Sequence, residues 1–481
     1  MPAAVIDAVT ALARRRGFFF PAGEIYGTSW SAWDFGPLGV ELKENVRRHW
    51  WRAVVQSRED VVGMDSAVIL PPQVWSATRH VTDLAEQVVV CQACRRRALV
   101  DDLENDFAFR AGRRPAPGLA EIGCPRCGAK DSWTEPQVLN GMVPAGVGAA
   151  LTTDDSDRRE RPTTWPSDAF PDDYYLRPEA SQGAFTNLHN VLRVSRRKPP
   201  FGIAQVGKAF RNVFTPGQDL FHTREFEQMQ LDYFVPPTHA AMWLDFWLQA
   251  RHDWYVDLGI APANLRWRNR EPQTMAHAAV DAVDIEYRFG FADGPLNDGF
   301  AALENVVNRG DGDLRSHSQH SGADLAWQEH GSGERWFPHV IEPSVGIAHS
   351  VLAFLVDAYD VDEAPDADGN AVSRSVLRLH PRLAPVKVAV LPLSRHAELS
   401  PRARRLADGL RSRWNVEFDD AGAIGRRYRR QDEIGTPYCV TFDFESLDDH
   451  AVTIRDRATM AQERVALDRV QEYLAQRLPA A

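Results

Sequence analysis

The sequence predicts an α+β protein: a mainly antiparallel sheet with flanking helices, interrupted by a cysteine-bearing insertion and followed by a small α/β domain. Three observations carry this expectation. Residues 209–234 read as two strands joined by a turn at Thr215-Pro216-Gly217-Gln218. Two C-x-x-C pairs, Cys91/Cys94 and Cys124/Cys127, sit together in a chain with only five cysteines. Strand-like and helix-like runs alternate regularly after Leu383-Ala384-Pro385. The division expected is a larger domain from residues 1–90 and 174–380, an insertion at 91–173 and a C-terminal domain at 384–481.

In chain order, residues 4–16 predict a short helix ending in Arg14, Arg15 and Arg16. Gly36-Pro37-Leu38-Gly39 breaks the chain before a long amphipathic helix, whose Val40, Leu42, Val46, Trp50, Trp51, Val54 and Val55 share one face. Residues 143–172, rich in Thr, Asp, Pro and Arg, lack periodicity and read as a loop. Residues 174–360 mix strand-like runs with a helix near 237–257. In the C-terminal domain, Val386–Leu393 is a buried strand, and Ser400 is an N-cap before Pro401 in a helix reaching about Trp414. Strands at 416–418, 438–444 and 452–454, a helix ending near Gly435 and a last helix over 459–478 imply a largely parallel sheet.

Composition is that of a globular protein, with 44% hydrophobic and 25% charged residues. No run of ~18 apolar residues exists, so no membrane span is expected. The N-terminus lacks a long apolar core, so a signal peptide is not expected. The net charge of −11 argues against a surface covered in nucleic-acid contacts, yet Arg426, Arg427, Tyr428, Arg429 and Arg430 form a local basic run. That run is either a solvated helix face or a nucleic-acid contact. Four of the five cysteines lie in two knuckle-like pairs, and a reducing cytoplasm fits that usage. The spacing favours a closed structural zinc site over two reduced pairs or a disulfide. Cys439, within a strand-like run, reads as a small core residue.

Strand side chains alternate between faces. Arg211 and Val213 therefore share a face of the first hairpin strand, and His222, Arg224, Phe226, Gln228 and Gln230 share a face of the second. An arginine, an aromatic ring and polar groups in that arrangement could grip a nucleotide, with Val213 as the one residue unable to make a polar contact.

Several segments together resemble bacterial glycyl-tRNA synthetases, the homodimeric class II type. Gly36-Pro-Leu-Gly-Val-Glu-Leu-Lys-Glu-Asn-Val46 is similar to that family's first motif, a dimer-forming helix. Arg177-Pro-Glu-Ala-Ser-Gln-Gly183 is similar to its substrate-pocket segment, and the 209–234 hairpin to its second motif. Glu342-Pro-Ser-Val-Gly346 and the following Ser350–Leu355 resemble the third motif. Asp419–Arg426 and Arg430–Pro437 resemble parts of the family's anticodon-binding domain, and the cysteine pairs fit its zinc insertion. The resemblance implies a class II catalytic sheet, a homodimer, and binding of tRNA at its anticodon and acceptor ends. It implies ATP with magnesium, glycine activated as an adenylate, and transfer of the glycyl group to the tRNA 3′ end.

The same resemblance assigns residues. Arg211 stands where the family holds the α-phosphate and substrate carboxylate, and Phe226 where adenine stacks, with Phe221 also on the nucleotide. Glu179 and Glu342, with Ser344, stand around the glycine ammonium, and Gln230 stands where a third acid belongs. Other positions depart as well: Trp30 and His222 replace arginines, Val213 a glutamate, His349 the arginine of the third motif, and Ala302 the acid of a tryptophan-glycine-glutamate loop, here Phe300-Ala301-Ala302. A histidine lacks the guanidinium fork, and losing one preorganised contact commonly costs about 10²–10³ in rate. The departures raise two alternatives to glycylation. One is a tRNA- or glycyl-tRNA-binding relative without adenylation, serving regulation or using charged tRNA as a biosynthetic donor. The other is activation of a different acid.

Overall fold

The computed structural model describes residues 2–478 apart from 28–31, 117, 146–173, 213–222, 271–278, 291–297, 330, 332 and 366–369. The 215–218 turn and most of the loop expected at 143–172 lie outside the described residues.

A seven-stranded sheet organises the larger part of the chain. Its strands are β1 (Val61–Gly63), β2 (Phe201–Phe210), β3 (Glu225–Val235), β4 (Leu265–Asn269), β5 (Asp281–Arg288), β6 (Phe300–Gly310) and β7 (His339–Gly346). In space they run β4-β5-β6-β7-β3-β2-β1. Every neighbouring pair is antiparallel except β1 with β2. Among the helices are α1 (Pro2–Arg16), α2 (Pro37–Trp51), α3 (Ala240–Asp257), α4 (Gly312–Ser321) and α5 (Ile347–Ala358).

The two faces of this sheet differ because its strands alternate. Met229, Leu231 and Tyr233 of β3 and Ile341 and Val345 of β7 point into a core shared with Trp247 and Tyr255 of α3, Val351 and Leu355 of α5, and Leu42, Val46 and Trp50 of α2. Each such side chain, fully buried, contributes about 1.5–3 kcal/mol. Of the stripe expected on α2, Leu42, Val46 and Trp50 pack inward, while Val40 is exposed, and Pro37 in the first turn costs no helical hydrogen bond. One ion pair lies in this core: Arg251 Nε of α3 donates to Glu304 Oε1 of β6 at 2.7 Å, under the Trp254 ring. The opposite face carries Gln228, Gln230, Asp232, Glu342 and Ser344, the alternate residues of the same strands.

Strand Ala85–Val90, ahead of the boundary expected at 91, pairs with Arg97–Leu99 and Gln137–Asn140 of the insertion. A small core of Val89, Val100, Leu103 and Ile122 seals it. Among the described residues no helix is long and apolar enough to cross a membrane.

The C-terminal strands are β8 (Val388–Pro392), β9 (Val416–Phe418), β10 (Tyr438–Phe442), β11 (Ala451–Asp456) and β12 (Gln462–Ala466), in the order β9-β8-β10-β11-β12. Helices α6 (Ser400–Leu410) and α7 (Ile424–Ile434) accompany them. Three expectations are corrected here. The sheet is mixed: β8 is parallel to β9 and β10, but β10-β11 and β11-β12 are antiparallel. The helix expected over 459–478 is instead strand β12 and a short helix Val470–Ala475. Met460 at φ +60° closes a tight turn after β11, its N–H donating to Asp456 O, and Val465 buries against the domain core. Ser400 is the first residue of α6 rather than its N-cap, because Leu399 is already helical and the Ser400 hydroxyl donates to Asp420 Oδ2 at 3.0 Å.

The two parts are tied by charge. Asp432 of α7, almost fully buried, accepts from Arg455 of β11 at 2.9 Å and from Arg374 of the hairpin Tyr359–Pro365/Ala371–Leu377 at 3.1 Å. The next residue, Glu433, pairs with Arg16 of α1 at 2.5 Å.

Candidate active site

Register builds the site. Gln230 of β3 lies opposite Gln205 of β2 on one side and Ser344 of β7 on the other, while Gln228 lies between Gly207 and Gly346. Cross-strand neighbours on one face touch, so one patch collects these polar side chains. Arg177 packs closely over Gly207, where a Cβ would stand 2.2 Å from Arg177 Nη2. Arg177, buried over that gap, donates from Nε to Lys208 O at 2.7 Å and from Nη1 to Ser66 O at 2.9 Å. Over the patch lies the short helix Ser181–Thr186, which brings Ser181 and Gln182, both fully buried.

At the centre stands a residue that sequence patterning did not single out. Arg309, near the end of β6, donates from Nε to Asp313 Oδ2 at 2.8 Å, from Nη1 to Glu342 Oε2 at 2.8 Å, and lies with Nη2 3.2 Å from Glu179 Oε1. Its side chain is only 14% exposed. The structure therefore brings Glu179 and Glu342 together around a guanidinium. Glu179 also accepts from Gln182 Nε2 at 2.9 Å and lies 3.3 Å from His80 Nε2, and Glu342 accepts from the Ser181 hydroxyl at 3.0 Å. Gln182 in turn meets His317 of α4 at 2.7 Å. Gln230 Nε2 donates to the Ser181 hydroxyl and, at 3.1 Å, to Asp232 Oδ1. Gln228 Nε2 donates to Ser344 Oγ at 2.5 Å.

Burial and charge set the protonation of this cluster. Burial would raise the Glu179 pKa, but Arg309 and His80 outweigh it and hold the carboxyl well below its usual range. Burial dominates at Glu342 and raises it, with Arg309 offsetting only part. Burial, then the Glu342 charge, drives Asp232 well above the usual carboxylate range. The pocket thus combines firmly ionised and readily protonated acids around one fixed cation.

The candidate nucleotide residues lie at the far end of the same face. Arg211 continues the β2–β3 ladder, its N–H donating to Arg224 O at 2.9 Å. Its Nε donates to Pro178 O at 3.1 Å, and its guanidinium stands 5.7 Å from the Phe226 ring centroid. The His349 ring packs on Gly346, beside Gln228, so closely that a Cβ there would stand 2.9 Å from Nδ1. Ala302 lies opposite Glu286, whose carboxylate accepts from Arg266 at 2.6 Å and Arg268 at 3.2 Å. Trp30, Val213, Phe221 and His222 lie outside the described residues.

The four insertion cysteines converge, with one sulfur from each within 4.8 Å of the others. Cys91 and Cys127 sulfurs stand 3.8 Å apart and those of Cys94 and Cys124 3.6 Å apart. None of the four is in a disulfide. Tetrahedral zinc with ~2.3 Å bonds places its sulfurs about 3.8 Å apart, so this set could hold a metal ion. The Ser132 hydroxyl lies 3.4 Å from Cys91 Sγ, and its hydrogen bond brings that thiol down to about 6. Cys439 is fully buried in β10, and burial pushes its thiol up to about 12.

The basic run on α7 divides by burial. Arg427 is fully buried, donating to Pro392 O, Asp419 O and Leu393 O at 2.6, 3.0 and 3.1 Å. Arg430 pairs with Asp419 at 2.7 Å, and Arg426 is exposed. Arg427 thus clamps the ends of two strands, while Arg426 faces solvent at the start of the helix.

Comparison with known proteins places these features in a family. A sequence model described as an anticodon binding domain matches residues 387–477. The chain is 53% identical over 480 residues to the glycine–tRNA ligase of Mycolicibacterium vanbaalenii, covering 98% of each protein. It is 52% identical to that of Streptomyces coelicolor, covering 99% of each, and 51% identical to that of Thermobifida fusca, covering 98% of each.

Proposed function

The chain belongs to the glycine–tRNA ligase family, and on that premise we propose that it joins glycine to tRNA. In the first step a glycine carboxylate oxygen attacks the α-phosphorus of ATP, and the bond to pyrophosphate breaks. In the second, a hydroxyl of the tRNA terminal adenosine attacks the adenylate carbonyl carbon, and AMP leaves. Such displacements need positioning and charge stabilisation rather than a side-chain nucleophile. Arg211, held by Pro178 O beside Phe226, would orient the α-phosphate over the aromatic ring that receives adenine. The observation that carries the glycine half is the acidic cluster: Glu179 and Glu342 pair with Arg309, and Gln230, Asp232 and Ser344 share the sheet face that carries Glu342. Magnesium bound with ATP would neutralise phosphate charge.

We further infer that Cys91, Cys94, Cys124 and Cys127 hold a structural zinc ion, that the protein is a cytoplasmic homodimer, and that the C-terminal domain binds the anticodon end of tRNA. The sulfur spacing supports the first, and the matched anticodon binding domain the last.

The second reading, set against ligation, is a tRNA-binding relative that does not form the adenylate. Pyrophosphate–ATP exchange separates the two. Exchange that depends on glycine supports ligation. Tight tRNA binding with no exchange for any amino acid supports the second reading.

A further inference from the structure

We propose that Asp232 receives the ammonium group of the amino-acid substrate through its second carboxylate oxygen, restoring on β3 the acid that Gln230 does not supply. This rests on the reading that the pocket takes glycine. Asp232 is fully buried and shares one strand face with Gln228 and Gln230. Its Oδ1 accepts from Gln230 Nε2. Its Oδ2 has no partner, and neither do the side-chain oxygens of Gln228 and Gln230. Buried acceptors without donors are few in native proteins, yet here three stand on successive same-face positions of one strand.

The amide and guanidinium donors nearby are already used. Gln230 Nε2 serves Ser181 and Asp232, and Gln228 Nε2 serves Ser344. Arg309 is committed to Asp313, Glu179 and Glu342. A primary ammonium brings three N–H groups with a positive charge, which matches three acceptors on one strand face. Unsubstituted glycine suits a pocket whose Ser181, Gln182, Gln205, Gln230 and Asp232 are all essentially inaccessible to solvent.

The charged and titratable groups that act on Asp232 are Glu342 on β7, Glu179 ahead of the short helix and Arg309 on β6, with Asp313 and His317 of α4 and His80 behind Arg309. Burial, then the Glu342 charge, raises the Asp232 pKa well above the usual carboxylate range. An ammonium beside Asp232 stabilises the carboxylate, so binding would favour loss of a proton from Asp232 to solvent.

Calorimetric titration of the full-length protein with glycine, in two buffers of different ionisation enthalpy at pH 7, reads both affinity and proton count. Wild type should release protons on binding glycine. Asp232→Asn, isosteric and still able to meet Gln230, should release none and bind about 30-fold or more weakly. Binding within about threefold of wild type with an unchanged proton count would overturn the assignment. If Asp232→Asn does not fold, Asp232→Glu decides: it should keep the proton release, and a folded variant that binds glycine without it would overturn the assignment. Methylammonium is the second probe. Wild type that binds methylammonium but not glycine, with binding lost in Asp232→Asn, would sustain the Asp232 role while the glycine reading fails. Wild type that binds neither would overturn both.

Discussion

Replacing Arg309 by methionine removes the one cation among three buried carboxylates while keeping most of the side-chain volume. Arg309 is 14% exposed, and its partners Glu179, Asp313 and Glu342 are 12%, 8% and 9% exposed. Breaking a buried ion cluster by deleting one partner costs about 3–5 kcal/mol, because the remaining charges stay desolvated and repel. At 1.36 kcal/mol per decade this corresponds to about 10²–10⁴ in the local opening equilibrium. Amide hydrogen exchange across β3, β6 and β7 reads that quantity directly. The effect depends on pH with a definite sign. The folded pKa of Glu179 lies below its ordinary 4.5, so its pairing stabilises the fold above that pH and fades as pH falls through the folded value. Removing Arg309 also lets burial raise Glu342 further, which adds a penalty that grows with pH. The loss in Arg309→Met should therefore be largest at neutral pH and shrink toward pH 4. A loss under about 1 kcal/mol at pH 7, the size of an exposed pair, or a loss that does not change with pH, would refute the central role given to this guanidinium.

Two other perturbations separate structural from contacting residues. Arg427→Ala should unfold or strongly destabilise the C-terminal domain, by about 2–4 kcal/mol in urea titration, since three strand-end carbonyls lose a charged donor. Arg426→Ala should leave stability within about 0.5 kcal/mol and register only as weaker, salt-dependent tRNA binding. Metal analysis should find one zinc per chain, and Cys94→Ser should lower that occupancy and raise exchange in strands Ala85–Val90 and Gln137–Asn140 while leaving β10 and β11 unchanged.

What could be read in the sequence was whatever repeats at short range. In the 209–234 hairpin the second strand announced itself by alternation, whereas the first runs Phe201–Phe210, mostly ahead of the expected stretch, and the Pro-Gly turn lies outside the described residues; the cysteine set announced itself by its C-x-x-C spacing. The helix α2 stripe followed from its period. Strand β12 did not, because Gln462-Glu463-Arg464-Val465-Ala466 is a polar edge whose single inward residue, Val465, carries too little hydrophobic pattern to outweigh a helical reading. Arg309 was invisible for a different reason. Glu179 lies 130 residues before it and Glu342 33 residues after it, so only folding of β6 against β7 and the Ser181–Thr186 helix joins them. Its one local trace is Asp313, four residues on. Asp232 was within reach: it is the next same-face residue after Gln228 and Gln230, and extending the alternation one step would have included it. His80 and His317 enter through helices that meet only in the folded protein.

Glycylation of tRNA tests the functional account most directly. Full-length protein incubated with labelled glycine, ATP, magnesium and tRNA should produce acid-precipitable glycyl-tRNA, and the yield should collapse in Glu179→Gln and in Arg211→Ala. Bound tRNA with no glycyl ester formed, at any glycine or ATP concentration, would contradict it.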